Sequence, residues 1–415
     1  MNAMLSAKDR LKILSRIKKT VLKHHFNVAN LDLNAWCQQM DEQTPDLLEA
    51  SNDNTFEDGI HDLLSKLKSS HTDFFRQDRN PIRPEHAIGA TLRPVTFQGK
   101  QMWMFLDVFE ESPAARAGVN PGHLLITVNG CLTNPPSLPS FRFGEKHRFT
   151  IMRPDKEGTE QIEIVVPERK STRPRLPFVE PKSLSYRMLT ERVGLLRISY
   201  FPGVLGIRFS GILDEAIKSL KAKGCDRLII DLRGCLGGSL GFARLVSYMC
   251  SDQIPIGYDI TRKRQRQGYD AAKLPRVKMP DSRIGALLRL AEFSIRDKSL
   301  MLLTQGLGNQ PFHGHIALLV NERTSSAGEM VAQFAKDTKL AILIGQKTAG
   351  LVLGSALFKV GSGYALYLPV FGWFTPRGGH TEGSGVMPDV AVDVDPITLA
   401  EGNDTQLKRA LEFLQ

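Results

Sequence analysis

Ser326 is the residue whose surroundings in the sequence most directly suggest nucleophilic chemistry. It stands at the turn between a buried apolar run, HIALLV (315–320), and a helical pattern that begins at Ala327. A serine at such a strand-to-helix turn exposes its Oγ, and the amides that follow point toward whatever the oxygen attacks. The motif Ser326-x-x-Glu329 also matches a helix capping box, in which the serine only caps the N-terminus of the helix. The local sequence therefore leaves a nucleophile and a helix cap as alternatives.

A second strand-to-helix turn, RLIIDLRGCLGG (227–238), contains Gly234, Gly237 and Gly238. The N-terminus of the helix that follows carries unpaired N–H groups and a partial positive charge. Glycines at such a turn let the backbone approach a ligand oxygen closely. A plain strand-to-helix turn is the alternative interpretation, but two turns of this kind in one core can supply two amides to one oxyanion.

Two further residues become informative only in combination with these turns. His71 follows a helical pattern within SSHT (69–72), and Glu382 precedes a glycine-rich approach to Pro388-Asp389. A histidine is largely neutral at neutral pH and is able to accept a proton from a hydroxyl. Taken alone, His71 would be a structural or solvated histidine, and Glu382 would be a surface carboxylate.

The elements that must position these residues divide the chain into three segments. Residues 1–80 repeat apolar residues at helical spacing and predict an N-terminal helical segment that carries His71. Residues 81–170 contain short strand-like runs and predict a mostly β domain. Residues 171–415 begin with a linker rich in proline and charge. Strands and helices then alternate, which predicts an α/β core with parallel strand pairing.

The middle segment resembles a PDZ domain of the kind attached to bacterial processing proteases. The likeness rests on its short strands and on EESPAARAGVNPGHLLITVNG (110–130), where Pro113 can open a short helix and Gly118 can close it. PDZ domains bind a peptide as an added strand and hold its C-terminal carboxylate on backbone amides. The resemblance implies a carboxylate cradle at Ile88, Gly89 and Ala90. A packing module without a ligand is the alternative.

The order of the motifs is similar to that of the C-terminal processing (tail-specific) serine peptidases. The sequences SSHT, the PDZ-like segment, DLRGCLGG, TSSAGE and EGSGVMPDV follow one another and cover most of the chain. The resemblance implies a crotonase-like α/β peptidase core with a mixed or parallel sheet and helices. It also implies cleavage of protein or peptide substrates with free C-termini through an acyl-enzyme, without a cofactor.

Within that family, the motifs look like the tricorn-core branch, and this likeness implies a role for each of them. It implies the nucleophile Ser326, the general base His71, the supporting groups Glu382 and Ser70, and an oxyanion hole formed by Gly237 or Gly238 with Ala327. A serine hydroxyl is a weak nucleophile and needs an adjacent base. A carboxylate linked to the histidine fixes its tautomer and stabilises the imidazolium.

Two alternatives to this mechanism remain open. Leu351 occupies the position at which the Ser–Lys branch of the family carries its general-base lysine, so a Ser–Lys peptidase would have to use Lys347 in the same turn. The missing lysine also leaves open a non-catalytic peptide- or ligand-binding protein on the same scaffold.

Composition and charge limit the other classes of protein. The chain has 415 residues, of which 42% are hydrophobic and 24% charged, and this excludes a collagen, a coiled-coil rod or a disordered chain. The net charge is +10, and residues 261–300 alone carry eleven basic and four acidic side chains. No aromatic interleaving supports binding of nucleic acid there, so we expect no nucleic-acid partner. A lid over a cleft or a solvated insertion are the alternatives for this stretch.

The remaining signals concern metals, compartment and membranes. The five cysteines contain no Cys-x-x-Cys pair, which argues against a zinc ribbon or a disulfide framework. His313-x-His315 has the spacing of two metal ligands but lacks accompanying ligands, so we expect no metal, and we expect His24 and His25 to be solvated. No apolar run approaches the ~18 residues of a membrane span. Without a visible secretory signal we expect a cytoplasmic location, or a periplasmic or secreted one if a signal was removed.

Overall fold

The computed structural model describes residues 4–28, 30–76, 82–168, 181–280, 282, 284–285, 287, 299–308, 311–312 and 314–415. The helices are α1 (Ala7–His24), α2 (Leu33–Leu48), α3 (Asp53–Ser65), α4 (Pro84–Ala87), α5 (Pro113–Arg116), α6 (Ile207–Ala222), α7 (Phe242–Ser247), α8 (Arg262–Gln267), α9 (Ala327–Thr338), α10 (Pro396–Ala400) and α11 (Thr405–Leu414), with 3₁₀ turns at Val204–Gly206 and Ala271–Lys273.

The strands belong to three sheets. They are β1 (Asp73–Arg76), β2 (Ala90–Phe97), β3 (Lys100–Val108), β4 (Leu124–Val128), β5 (Cys131–Leu132), β6 (Lys146–Met152), β7 (Thr159–Val165), β8 (Leu184–Met188), β9 (Val193–Ile198), β10 (Arg227–Asp231), β11 (Pro255–Thr261), β12 (Arg276–Lys278), β13 (Leu300–Leu303), β14 (His315–Val320), β15 (Ile342–Gly345), β16 (Gly354–Gly361), β17 (Tyr364–Phe374) and β18 (Val390–Ala391).

The central sheet has the order β18-β15-β14-β10-β9-β8. All its neighbours are parallel except β8 and β9. Its inner strands β9, β10, β14 and β15 are mostly apolar because both faces are covered. Helices α6, α7 and α9 pack on one face and α11 on the other. The predicted α/β core with a mixed, mostly parallel sheet is confirmed.

The second sheet joins the N-terminal segment to the core. Its order is β1-β17-β11-β13-β12 with β16 on β17, and β1 pairs with β17 in the register Asp73↔Tyr367. Helices α1 to α3 pack on this sheet through one apolar cluster that includes Ile13, Phe56 and Leu366. The segment predicted as helical over residues 1–80 is therefore helical to Ser65 and then supplies an edge strand.

The inserted sheet, which we define as β2 to β7 within residues 82–168, has the order β2-β3-β4-β6-β7 with β5 on β4. All its pairings are antiparallel, and it encloses an apolar cluster of its own. The predicted mostly β character of this segment agrees with these strands, and its identity as a PDZ domain stays a prediction. Within the described ranges, no helix is both long and apolar enough to cross a bilayer.

Candidate active site

Ser326 lies between β14 and α9 in a strained backbone conformation. Its φ of 52° and ψ of −120° lie outside the regions that L-residues favour, and such strain concentrates at functional turns. Its N–H donates to the carbonyl oxygen of Leu351 at 2.9 Å, and its side chain caps no backbone N–H of α9. The serine half of the capping box is therefore absent, and the Ser326 hydroxyl is not occupied in capping the N-terminus of the helix.

Glu329, the other half of the expected box, is fully buried and points at a different loop. Its Oε1 accepts hydrogen bonds from Thr348 Oγ1 at 2.6 Å and from the Gly350 N–H at 2.7 Å, and its Oε2 accepts from the Leu351 N–H at 2.7 Å. Burial raises the pKa of Glu329, and these hydrogen bonds oppose that change. The carboxyl fastens the start of α9 to the 348–351 loop.

His71 takes part in a series of hydrogen bonds that ends on Glu382. Its Nδ1 lies 3.0 Å from Ser70 Oγ, the Ser70 hydroxyl donates to Glu382 Oε2 at 2.9 Å, and the Ser70 N–H donates to Oε1 at 2.8 Å. Because the Ser70 proton is used on Glu382, the Ser70 oxygen accepts from Nδ1–H of His71. This network assigns His71 the tautomer with a free lone pair on Nε2, which a general base requires.

The environment keeps the His71 ring neutral. Burial lowers the pKa of His71, and the negative charge of Glu382 opposes that change. The ring stands edge-on to Tyr367 of β17 with 6.1 Å between the ring centroids. The second sheet therefore supports a histidine that can accept a proton at neutral pH.

The segment Leu351-Val352, at the end of the 348–351 loop, connects Ser326 to this series. Leu351 accepts from the Ser326 N–H, and the N–H of the next residue, Val352, donates to Glu382 Oε2 at 2.9 Å. Between Ser326 Oγ and His71, both of which are described, the structure contains no hydrogen bond. Catalytic hydrogen bonds are often long in a free enzyme and tighten when substrate binds. The structure thus joins His71, Ser70 and Glu382 directly, and joins Ser326 to them through the backbone.

The glycine loop after β10 lies against Ser326. A Cβ on Gly237 would lie 2.5 Å from Ser326 Cβ, so only a glycine allows this approach. The Gly237 carbonyl accepts from the Phe201 N–H and the Ser239 N–H donates to the Phe201 carbonyl, both at 2.8 Å, which leaves the intervening Gly238 N–H pointing away from Phe201. Neither the Gly238 nor the Ala327 N–H donates to an acceptor in the described part of the chain.

The glycine loop is anchored to the inserted sheet through Asn321. The Asn321 Oδ1 accepts from the Gly234 N–H at 3.0 Å, and its Nδ2 donates to the two Asp107 carboxylate oxygens at 3.0 and 3.2 Å. Asp107 of β3 also accepts from Thr91 Oγ1 at 2.6 Å, and burial raises its pKa. Sequence analysis missed Asp107 and Asn321. For Asn321, the only signal in the sequence was its place as a polar residue directly after a buried strand.

The predicted carboxylate cradle lies at the turn into β2, and all three of its residues, Ile88, Gly89 and Ala90, are buried. The N–H groups of Ile88 and Gly89 donate to the Pro84 carbonyl at 3.0 and 3.1 Å. A carboxylate would have to displace these hydrogen bonds. The cradle stays a prediction that requires this turn to open.

The other residues singled out in the sequence lie away from this network. Lys347 is exposed and lines a surface cavity of 780 Å³ with Arg93 and Glu322, and it forms no hydrogen bond to Ser326. His313 lies outside the described residues, and in the described ranges no three His, Cys, Asp or Glu side chains cluster as metal ligands.

The basic stretch 261–300 is described mainly up to residue 280. Its Arg262 side chain is buried and donates to the Val21 carbonyl at 2.7 Å, so the start of the stretch packs against α1. The expectation that His25 is solvated is wrong because the side chain is completely buried.

Residues 192–392 match peptidase family S41. The carboxyl-terminal-processing protease of Picosynechococcus sp. is 25% identical over 315 residues, which cover 73% of this chain and 64% of that protein, so the chain spans less than two thirds of this relative's length.

Two solved structures share the fold over nearly the whole chain. The photosystem II D1 C-terminal processing protease is 18% identical with a TM-score of 0.56, and covers 98% of this chain and 97% of its own. Mature CPAF in complex with lactacystin is 14% identical with a TM-score of 0.59 and the same two coverages. At these identities the likeness concerns the fold alone.

Proposed function

We propose that this chain is a serine endopeptidase of the C-terminal processing type, since its residues 192–392 match peptidase family S41. One observation carries the proposal: the series His71–Ser70–Glu382 leaves His71 Nε2 free to accept a proton, in a fold that also presents an uncapped, strained serine. The substrates are proteins or peptides, and the bond is cleaved through an acyl-enzyme.

In the first step, His71 Nε2 takes the proton of Ser326 Oγ as that oxygen attacks the scissile carbonyl carbon. The imidazolium that forms is stabilised through Ser70, which accepts from Nδ1–H and donates to Glu382. His71 then protonates the leaving amine, and a water that it deprotonates hydrolyses the acyl-enzyme. The arrangement follows the tricorn-core assignment and needs no lysine.

The oxyanion of the tetrahedral intermediate accepts from the N–H groups of Gly238 and Ala327. The support for this pair is that both N–H groups lack an acceptor among the described residues and lie at the two turns that meet at Ser326. Between the two glycines first considered, Gly238 is preferred because its bridge to Phe201 leaves the Gly238 N–H pointing away from that residue. Loss of one such donor lowers turnover by roughly 10²–10³-fold.

The inserted sheet engages the C-terminal segment of the substrate as an added strand. The support is that β2 is an edge strand of this sheet, and an edge strand offers unpaired backbone groups to a peptide. Peptides with free and amidated C-termini test this role. Equal kcat/KM for the two peptide forms would contradict it.

The nucleophile is tested with a fluorophosphonate probe and a peptide-cleavage assay. We expect Ser326→Ala to lose labelling and roughly 10⁶-fold of turnover. Ser325→Ala is the matched control because the Ser325 hydroxyl is already used on the Cys235 carbonyl at 3.1 Å, and we expect it to stay active. Cleavage that persists in Ser326→Ala would refute the assignment. Inactivity of the wild-type protein would favour a binding protein, and loss of activity in Lys347→Ala would favour the Ser–Lys alternative.

A further inference from the structure

His25 directly follows α1, and a series of hydrogen bonds connects it to both sides of His71. The buried His25 Nε2 lies 3.0 Å from Ser69 Oγ, which lies 2.9 Å from Thr72 Oγ1. Thr72 Oγ1 in turn donates to the Ser70 carbonyl at 3.4 Å. The series therefore encloses the loop that carries the general base.

The direction of the protons follows from the end of this series. The Thr72 hydroxyl proton is used on the Ser70 carbonyl, so Thr72 accepts from the Ser69 hydroxyl, and Ser69 accepts from Nε2–H of His25. His25 is then a neutral imidazole with its proton on Nε2. This agrees with its Nδ1, which is buried and has no hydrogen-bond partner.

The loop needs such support because His71 has a left-handed backbone with φ of 54°. This conformation costs a residue with a Cβ about 1–2 kcal/mol, so surrounding contacts must hold it. Glu382 holds Ser70 from one side. The hydroxyls of Ser69 and Thr72 hold the loop from the other side.

His25 is itself fixed by the fold. Its N–H donates to the Val21 carbonyl of α1 at 3.0 Å, and the N–H of the next residue, Phe26, donates to the Pro369 carbonyl of β17 at 2.8 Å. The same strand carries Tyr367, which contacts the His71 ring. The imidazole of His25 is thus a rigid donor attached to the sheet that supports the base.

We propose that His25 is a positioning residue for the general base. Through Ser69 and Thr72 it holds residues 69–72 in the conformation that brings His71 Nδ1 to Ser70. It does not contact the substrate and it transfers no proton. The inference rests on the proposed function and adds a second histidine to the site.

The test compares steady-state kinetics of His25→Leu, His25→Gln and Ser69→Ala. We expect His25→Leu and Ser69→Ala to lower kcat by roughly 10- to 100-fold with little change in KM, because a small displacement of a catalytic group is costly. His25→Gln restores a side-chain N–H donor and is expected to recover most of kcat. Because the two residues act in one series, the double variant His25→Leu/Ser69→Ala should lose little more than either single variant.

His24→Gln is the matched control. His24 stacks on Phe358 at 4.9 Å between centroids, outside the hydrogen-bonded series, so we expect wild-type kinetics. Ser69→Ala removes only one hydroxyl and keeps the test valid if His25→Leu fails to fold. A folded Ser69→Ala protein with wild-type kcat would overturn the inference.

A second readout does not depend on hydrolysis. Titration of the His71 imidazole by NMR should give a changed pKa in Ser69→Ala, because the Nδ1 contact with Ser70 loosens, and an unchanged pKa would overturn the inference. An inactive wild-type protein would refute the proposed function, whereas an active wild type with an active Ser69→Ala variant refutes only the role of His25.

Discussion

A hydroxyl separates His71, the proposed general base, from the carboxylate of Glu382. Ser70 Oγ accepts from His71 and donates to Glu382, so the negative charge acts on the imidazole across two hydrogen bonds. The hydroxyl is polarised by the carboxylate and is a better acceptor than an isolated serine. Ser70 is therefore as necessary for the histidine tautomer as Glu382 is.

Ser70→Ala tests this relay. The change removes the acceptor for His71 Nδ1–H, and we expect kcat for peptide cleavage to fall by roughly 10²–10⁴-fold. The upper end of this range equals the effect on kcat of replacing the carboxylate of a Ser-His-Asp triad. Ser65→Ala is the control because the exposed Ser65 hydroxyl donates only to the Asp62 carbonyl. A wild-type kcat in Ser70→Ala would show that the relay does not orient the base.

The pH dependence of kcat/KM reports the protonation of His71 in the free enzyme. Because burial lowers the His71 pKa, we expect the acid limb to lie below the ordinary histidine value of about 6.5. Glu382 stabilises the imidazolium, so Glu382→Gln should lower the pKa further and move the limb to lower pH, together with a loss of kcat. A movement to higher pH would contradict this electrostatic role.

Residues in short motifs were accessible from the sequence, and residues defined by distant partners were not. Ser70 and His71 are adjacent, and Ser326 lies at a recognisable turn. His25 depends on a serine 44 positions away, and nothing in its basic helical surroundings indicates burial. The helical spacing predicted that His25 lies on a solvated helix. The prediction is wrong because α1 ends one residue earlier and the chain then turns inward.

At the scale of elements, the meeting of the two strand-to-helix turns depends on the absence of a side chain at Gly237. Gly237→Ala would place a Cβ 2.5 Å from Ser326 Cβ, so we expect loss of probe labelling and at least a 10²-fold loss of kcat. Gly99→Ala is the matched control. Gly99 has a similar positive φ of 76° and nothing within 4 Å of its added Cβ.

Both glycine variants should lose about 1–2 kcal/mol of unfolding free energy from the left-handed backbone alone. Because both variants carry this backbone penalty, the difference between them in unfolding free energy, measured with urea, and in kcat reports the close approach of Gly237 to Ser326. Equal activity of Gly237→Ala and wild type would show that the loop can move without affecting the nucleophile.

The order of elements in the core was predictable because each buried strand is a continuous apolar run followed by helical spacing. The boundaries were less accessible. Helix α3, for example, begins at Asp53 with Asn52 as its cap, and a single capping residue is a weaker signal than a repeated apolar spacing. Strand β1 was missed because four residues, DFFR, carry no measurable period and become a strand only by pairing with β17.

At the scale of the whole molecule, the site depends on all three sheets. The central sheet supplies Ser326 and the glycine loop, β1 and β17 of the second sheet flank His71, and the inserted sheet holds the glycine loop through Asp107. The site is thus assembled from parts of all three segments into which the sequence divides the chain.

Stability should depend on pH through buried histidines. Burial lowers the pKa of His25 to about 4, with a further contribution from Arg262, whereas the unfolded chain takes up this proton near pH 6.5. The contribution of the neutral, buried His25 to the free energy of unfolding is complete above pH 6.5. It is lost as the pH falls toward 4, and the unfolding free energy is lower by about 2 kcal/mol at pH 5. We expect urea unfolding to show a smaller loss between pH 7 and 5 for His25→Gln than for wild type.

His315→Gln is the control for that measurement because His315 is exposed. It should lose stability with falling pH as steeply as the wild type does. A His25→Gln protein with the wild-type dependence on pH would show that other groups dominate the acid response.

The distance along the chain between Ser70 and Glu382 has a consequence for biosynthesis. The two residues that close the relay are 312 positions apart. At the usual rates of translation, roughly 15 to 60 s pass between the synthesis of the two residues. During that interval the nascent chain contains His71 but lacks Glu382, so the proposed peptidase site is incomplete and cannot attack the chain itself or the polypeptides that emerge from neighbouring ribosomes.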